Sequence, residues 1–398
     1  MSLNCVNNIR DFFLAVIVLL MMVAPISYMT VKLLLILLVV FINFITGSFK
    51  VRAYNPAFYF IFLLILLYGV WNISNAIIKD SIQISELLSI IPFNLFWPFL
   101  YYALVISFAK QTQIPKCIKL LIFAHICIVF LNFYNIIALL YGLPIFNIDN
   151  EHENFRYDEA FLGISTNSLH QLVFTTPFFF MMGFAGKIRK WIFYLIGFLT
   201  VSVNIMSSRT LLLLVSFLSF LLPLLLSKKI CCISRQSILR MSIVFLILGG
   251  GYLFRVVDQV YIDSSVDYYL SHFDSGDDIR YEQRDVLIQK WKEAPLTGHG
   301  SGTKFRTKAK GLSDKYESSY HAILAYNGIV GFGIFSLYIF LIVKLLYERA
   351  VEDQNVFYMA CLVGLCFFLL GASTNPLLGT FDRLFPIYIC LACLFVHP

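Results

Sequence analysis

Charge is what this sequence lacks. Of its 398 residues, 13% are Asp, Glu, Lys or Arg and 59% are hydrophobic, with a mean hydropathy of +0.80. Soluble domains carry about a quarter charged residues, so a fold that buries its apolar side chains in water is excluded. Cysteine is missing from both sizeable polar segments, residues 142–168 and 258–318, which excludes a disulfide framework there. Cys390 and Cys393 have the spacing of half a zinc site, but no second ligand pair is near, so they read as small buried apolar groups. No P-loop is present, which removes nucleotide binding. No internal repeat of the kind found in many transporters is visible.

What is there is a succession of apolar runs, near residues 12–29, 31–49, 57–73, 88–108, 117–141, 169–186, 191–206, 211–227, 238–257, 319–346, 355–371 and 383–397. A membrane helix needs roughly 20 such residues, so the expectation is an all-α polytopic membrane domain over 1–398 with about twelve transmembrane helices. Pro25 and Tyr28 follow the first run in place of a small-residue cleavage pattern, so it reads as a retained span. With both termini cytoplasmic, 15 Lys and Arg fall on the inner side. Five (Lys32, Lys79, Arg156, Arg209 and Arg383) fall in short outer turns. That asymmetry fixes the expected orientation. It leaves 142–168 as a first outer loop and 258–318 as a large outer loop between helices 9 and 10. Phe and Tyr number 40 and 22, a load that suits helix packing and interfacial anchoring.

The outer segments hold the unusual residues. Glu151-His152-Glu153 has too few oxygen ligands on a defined turn for a hard cation, so no metal is expected there. Arg156 leads through Gly163 and Asn167 into the next helix, which Asn167 or Ser168 is placed to cap. Arg209 stands in a turn of a few residues between two apolar runs, where a charge is costly unless it meets an anion or a polar cavity. In the large loop, Arg280, Arg284, Leu287, Ile288 and Trp291 share one helical face, and Pro295 ends that helix. Gly298-His299-Gly300-Ser301-Gly302 follows, a spacing that allows a backbone nest for an oxyanion, with His299 beside it. A basic stretch from Lys304 to Lys315 then leads to Glu317 and His321 at the mouth of the run ending near Leu346. Glu317 and His321 are one helical turn apart, so both are expected to face one cavity. Asn375 and Arg383 flank the last outer loop. A basic outer face on a polytopic protein does not point to nucleic acid.

The order of these features resembles the bacterial O-antigen polymerase and O-antigen ligase family. It runs from an arginine between two spans (Arg209), through an arginine before a tryptophan (Arg284, Trp291) and a Gly-x-Gly-x-Gly loop, to a polar-headed helix that ends in Gly328-Ile-Val-Gly331. The likeness follows the order of spans over most of the chain, and its specific residues lie in roughly 150–331. It implies a membrane glycosyltransferase of the GT-C type, working at the periplasmic face of the bacterial inner membrane without metal or other cofactor. Its partners would be a sugar donor on undecaprenyl pyrophosphate, membrane lipid and a chain-length regulator. In the ligases a His-Asn pair begins the helix that ends in Gly-x-x-Gly. Counting back from Gly328 by that spacing reaches Glu317-Ser318. The polymerases resemble this chain in having an acidic residue there, which favours polymerase over ligase.

Physical chemistry gives the residues roles in such a reaction. A lipid pyrophosphate gains negative charge as it leaves, and fixed guanidinium groups stabilise that charge. Arg209 and Arg284 come first, Arg156 and Arg280 next, and His299 is a further phosphate contact. The acceptor hydroxyl loses a proton as it attacks, with Glu317 first and His321 second as general base. A ligase and a lipid-linked sugar transporter are the rival expectations.

Overall fold

The structure is a computed structural model. It describes residues 3–25, 27–46, 56–80, 91, 94, 98, 100, 114–146, 154–158, 161–166, 168–207, 210–226, 236–244, 246–247, 280–307, 311–313, 316–373, 375, 377–378 and 383–394. The expected runs at 88–108 and 238–257 lie largely outside these residues.

The remaining apolar runs each coincide with a helix: α1 Leu3–Val23, α2 Met29–Ile45, α3 Pro56–Ile78, α4 Ile114–Tyr141, α5 Leu169–Phe184, α6 Lys190–Met206 and α7 Thr210–Leu226. After a shorter stretch at 236–244 (α8) and a polar helix at 280–293 (α9) come α10 Ser319–Glu352, α11 Val356–Gly371 and α12 Phe385–Leu394. Among the described residues, four stretches are long and apolar enough to cross a membrane: Val6–Val23, Pro56–Ile78, Pro115–Tyr141 and Ser319–Glu352. The chain is therefore an all-α membrane protein, with two small departures. The first loop contains an antiparallel hairpin of β1 Asn154–Asp158 and β2 Phe161–Ser165. The large loop contains a second, β3 Phe305–Thr307 with β4 Gly311–Ser313.

The centre of the bundle is α5. Apart from His170, every residue from Leu169 to Phe184 is buried, against α4, α7 and α11. Its phenylalanines build an aromatic column. Phe179, Phe180 and Phe184 all meet Phe193 of α6, with centroids 5.2–6.1 Å apart. In lipid the hydrophobic effect does not drive helices together, so packing and interhelical hydrogen bonds must. The polar residues in the apolar runs supply those bonds. His125 of α4 bonds Thr175 of α5 through Nδ1 and Thr200 of α6 through Nε2, both at 3.0 Å, and stacks on Phe179. Asn132 donates to Ser168 and accepts from Thr166, while Asn204 donates to Ser216. Ser168 is the residue before α5 but makes no capping bond. The Thr166 hydroxyl accepts the Leu169 N–H instead.

Helix α1 is tied at two places. Within it Asp11 pairs with Arg10 at 3.0 Å and with Lys116 of α4 at 2.7 Å. Just past its C-terminal end, Lys32 is fully buried and donates to the Ala24 and Pro25 carbonyls at 2.6 and 3.1 Å. A cation at a helix C-terminus suits both the exposed carbonyls and the dipole. Lys32 thus serves as a helix cap, a role its place between two apolar runs did not reveal.

Candidate active site at a broken helix

Helix α10 has 34 residues, about 51 Å at 1.5 Å per residue, against a hydrocarbon core of about 30 Å. It is therefore longer than one straight crossing of the apolar layer requires. The helix breaks at Gly328, whose φ of 61° and ψ of −169° are not helical. A break of this kind leaves two carbonyls and two N–H groups without their usual i→i−4 partners, which inside a membrane protein must be satisfied by a neighbour.

The neighbour is the segment after α9. The N–H groups of Ile329 and Val330 donate to the Pro295 and Leu296 carbonyls at 2.9 and 3.2 Å. The orphaned carbonyls of Ala325 and Tyr326 accept from His299 and Gly300 at 3.0 and 2.9 Å. Residues 295–300, a turn and the irregular backbone after it, thus fill the gap in the α10 ladder as an inserted segment. The glycines permit it. A Cβ on Gly298 would lie 2.4 Å from the Tyr326 carbonyl oxygen, and one on Gly328 would lie 2.3 Å from that of Leu296. Gly298, Gly300 and Gly302 all have positive φ. This corrects the expected oxyanion nest: the Gly298, His299 and Gly300 N–H groups are committed to the Ala294, Ala325 and Tyr326 carbonyls.

Helix α3 locks the junction from the side. The Asn75 amide donates to the Thr297 carbonyl at 2.7 Å and the Tyr326 carbonyl at 2.9 Å, and the Trp71 indole N–H donates to the Asn327 carbonyl. Gly331 lets the indole come this close, since a Cβ there would lie 2.7 Å from Trp71 Nε1. The two glycines of Gly328-Ile-Val-Gly331 thus serve a backbone break and a helix contact, and α10 continues past them to Glu352.

The polar loop has a small core of its own. Leu287, Phe305, Tyr316 and Ala325 are buried together, with Phe305 stacked on Tyr326 at 5.6 Å. The Tyr316 hydroxyl accepts the Phe305 N–H and donates to the Phe305 carbonyl, pinning β3. His299 belongs to this core. Its Nε2 bonds the Lys290 carbonyl at 2.7 Å and its ring meets the edge of Phe305, so it ties α9 to the glycine loop. Helix α9 forms where expected. Its deepest residues are Gln283 and Leu287, one turn apart, so the face expected to hold Arg284, Ile288 and Trp291 is rotated toward Gln283.

That rotation sets Arg280 and Arg284 on either side of Gln283, facing the start of α10. The Arg280 Nε donates to Glu317 Oε2 at 2.9 Å in a partly exposed pair. The Glu317 N–H donates to Gln283 Oε1 at 3.1 Å. Glu317 lies just before the helix, not on its first turn, because Ser318 is extended and α10 starts at Ser319. Ser318 Oγ and His321 Nδ1 share a hydrogen bond of 2.5 Å. Arg284 pairs with Asp285 at 3.2 Å, lies over the Tyr281 ring, and is close enough to His321 to act on it electrostatically. The last loop closes the other side. The Ser319 hydroxyl donates to the Asn375 carbonyl, and the Ser319 N–H donates to the Ala372 carbonyl.

The structure therefore brings Arg280, Arg284, Glu317 and His321 together, with Asn375 beside them. Arg209 lies outside the described residues. Arg156 is on β1 opposite Gly163, and its side chain is not described. Gln283, Ser318, Asn75 and Trp71 were not among the expected site residues. For Asn75 the available signal was an amide deep in an apolar run, and for Gln283 it was a place between two arginines one turn apart. No protein-family model matches the chain, and a search of curated proteins finds no similar sequence.

Two guanidinium groups, a carboxylate and an imidazole converge at the end of an apolar helix. That set can hold an anion of two or more charges while a nearby base removes a proton.

Proposed function

We propose that the protein is a polysaccharide polymerase. It joins undecaprenyl-pyrophosphate-linked repeat units by metal-independent glycosyl transfer at the periplasmic face of a bacterial inner membrane. The proposed frame is a GT-C-like bundle of about twelve spans with both termini cytoplasmic, following the hydropathy and the Lys/Arg asymmetry. The observation that supports the reaction is the cluster of Arg280, Arg284, Glu317 and His321 where α10 emerges from its apolar stretch.

In this reading Arg284, with Arg209, stabilises the pyrophosphate as the glycosidic bond breaks. Glu317 takes the proton of the acceptor hydroxyl, and Arg280 orients its carboxylate. His321, held by Ser318, is the second base. The broken α10 and the inserted segment keep α9 and Glu317 in fixed relation. Glu317 in the position of the ligase histidine favours polymerase over ligase, and charges gathered at one end of the bundle favour an enzyme over a midplane transporter.

The test is genetic and biochemical. Arg209→Ala, Arg284→Ala and Glu317→Ala are expected to abolish long-chain surface polysaccharide at normal protein levels, with a single repeat unit still reaching the surface. Loss of that single unit as well points to a ligase, and loss of lipid-linked units from the outer leaflet points to a flippase. A normal chain-length ladder in all three variants would overturn the enzymatic reading.

A further inference from the structure

Gln283 is the one fully buried polar side chain of α9 among the described residues. It lies between Arg280 and Arg284 on the face turned to Glu317. Its Oε1 accepts the Glu317 N–H at 3.1 Å, while its Nε2 has no hydrogen-bond partner among the described residues. A buried donor left unpaired costs about 1–3 kcal/mol, and folded proteins keep few of them. A methionine would fill the same volume without that cost. The side chain is also fixed: Leu287, one turn on, is in the loop core, and the Glu317 backbone holds the amide oxygen. The amide is therefore held beside Glu317, next to two arginines, the carboxylate and an imidazole.

From this we infer that Gln283 is a substrate-binding residue whose Nε2–H donates to an oxygen of the lipid-linked sugar, either a sugar hydroxyl or a pyrophosphate oxygen. Through Oε1 it also positions the base, because the Glu317 backbone is fixed by the same amide. One side chain then couples occupancy of the site to placement of the carboxylate. The inference rests on the glycosyl-transfer reading.

The experiment uses the full-length protein in proteoliposomes with lipid-linked repeat units, comparing wild type, Arg284→Ala, Gln283→Met and Gln283→Glu. Gln283→Met is expected to lower kcat/KM by about tenfold, the scale of one hydrogen bond. Gln283→Glu keeps an acceptor for the Glu317 N–H and lacks the donor while ionised. Its activity relative to wild type is expected to climb as pH is lowered and the new carboxyl gains an O–H, whereas the Gln283→Met ratio stays flat. A purely structural role would lower the Tm of Gln283→Glu and restore Tm and activity together on acidification, whereas the donor role restores activity at an unchanged Tm. Homogeneous elution and an unchanged Tm identify folded variants, and Gln283→Glu carries the test if Gln283→Met misfolds. Binding of undecaprenyl pyrophosphate alone separates the two oxygens: weakened binding in Gln283→Met assigns the phosphate, and unchanged binding with weakened binding of the sugar-bearing lipid assigns the hydroxyl. A wild type that makes no polymer overturns the functional reading and this inference with it. Polymer lost in Arg284→Ala but unchanged in folded Gln283→Met, or in Gln283→Glu at every pH, overturns the role of Gln283 alone.

Discussion

Replacing Gly328 by alanine should dismantle the site without touching a charged residue. The φ and ψ of 61° and −169° lie in a region open essentially to glycine alone, where another residue carries about 1–3 kcal/mol of strain. The added Cβ would also lie 2.3 Å from the Leu296 oxygen, 2.4 Å from its carbonyl carbon and 2.6 Å from the Thr297 nitrogen. All three are backbone atoms, so no side chain can rotate away. Either α10 straightens or the inserted segment leaves. Both routes disturb the exchange made by Ile329, Val330, His299 and Gly300, whose bonds are worth about 1 kcal/mol net each. Strain plus partial loss of the ladder amounts to about 4–6 kcal/mol. For a domain of a few hundred residues this corresponds to a Tm lower by about 10 °C in a detergent unfolding scan. Trypsin should also cut faster at Lys304 and Arg306, which follow the inserted segment. Gly333→Ala is the internal control: it lies one turn further on, and its added Cβ would meet nothing within 4 Å. That change should be neutral or stabilising by up to about 1 kcal/mol. If Gly328→Ala unfolds and digests like Gly333→Ala, residues 295–300 do not complete the α10 ladder.

Other consequences are smaller. Asn75→Ala removes two donated bonds from α3 to the junction and should destabilise by about 1–3 kcal/mol, read as a lower Tm with reduced polymerising activity. Tyr316→Phe leaves the Phe305 N–H and carbonyl without the hydroxyl that serves both. About 2 kcal/mol of loss is expected, seen as faster proteolysis of β3 and β4 while the membrane helices stay protected. His125→Ala strips partners from Thr175 and Thr200 and opens space beside Phe179. A Tm drop corresponding to about 2–4 kcal/mol is expected, with KM for the lipid-linked substrate unchanged because its partners are Thr175, Phe179 and Thr200 of α5 and α6. Arg280→Lys keeps the charge but not the guanidinium fork, so it should lower kcat and leave KM near wild type, as suits a residue that orients Glu317.

Hydropathy made the helices legible, because a lipid-facing stretch must be apolar whatever its neighbours are. The ends of elements and the faces they bury were harder to read. The α9 stripe was readable as a period, but which of its faces packs depended on Tyr316 and Ala325, far along the chain. The Gly-x-Gly-x-Gly spacing correctly marked backbone freedom, yet the freedom serves insertion into a helix ladder, a pairing that no local pattern encodes. The separation of Glu317 from His321 predicted a shared helical face. The extended Ser318 moved Glu317 off that helix and into the reach of Arg280. Asn75 was visible only as an amide in an apolar run, and its two partners lie more than 200 residues away.

The most direct measurement is polymerisation by the purified protein in proteoliposomes supplied only with lipid-pyrophosphate-linked repeat units and a metal chelator. The account predicts a ladder of products from the wild type. That ladder should fall by about 10²–10³ in rate for Arg284→Ala, the loss expected for one group aimed at the transition state, and disappear for Glu317→Ala. A wild type that forms no linked repeats, or a ladder that survives both substitutions unchanged, would contradict it.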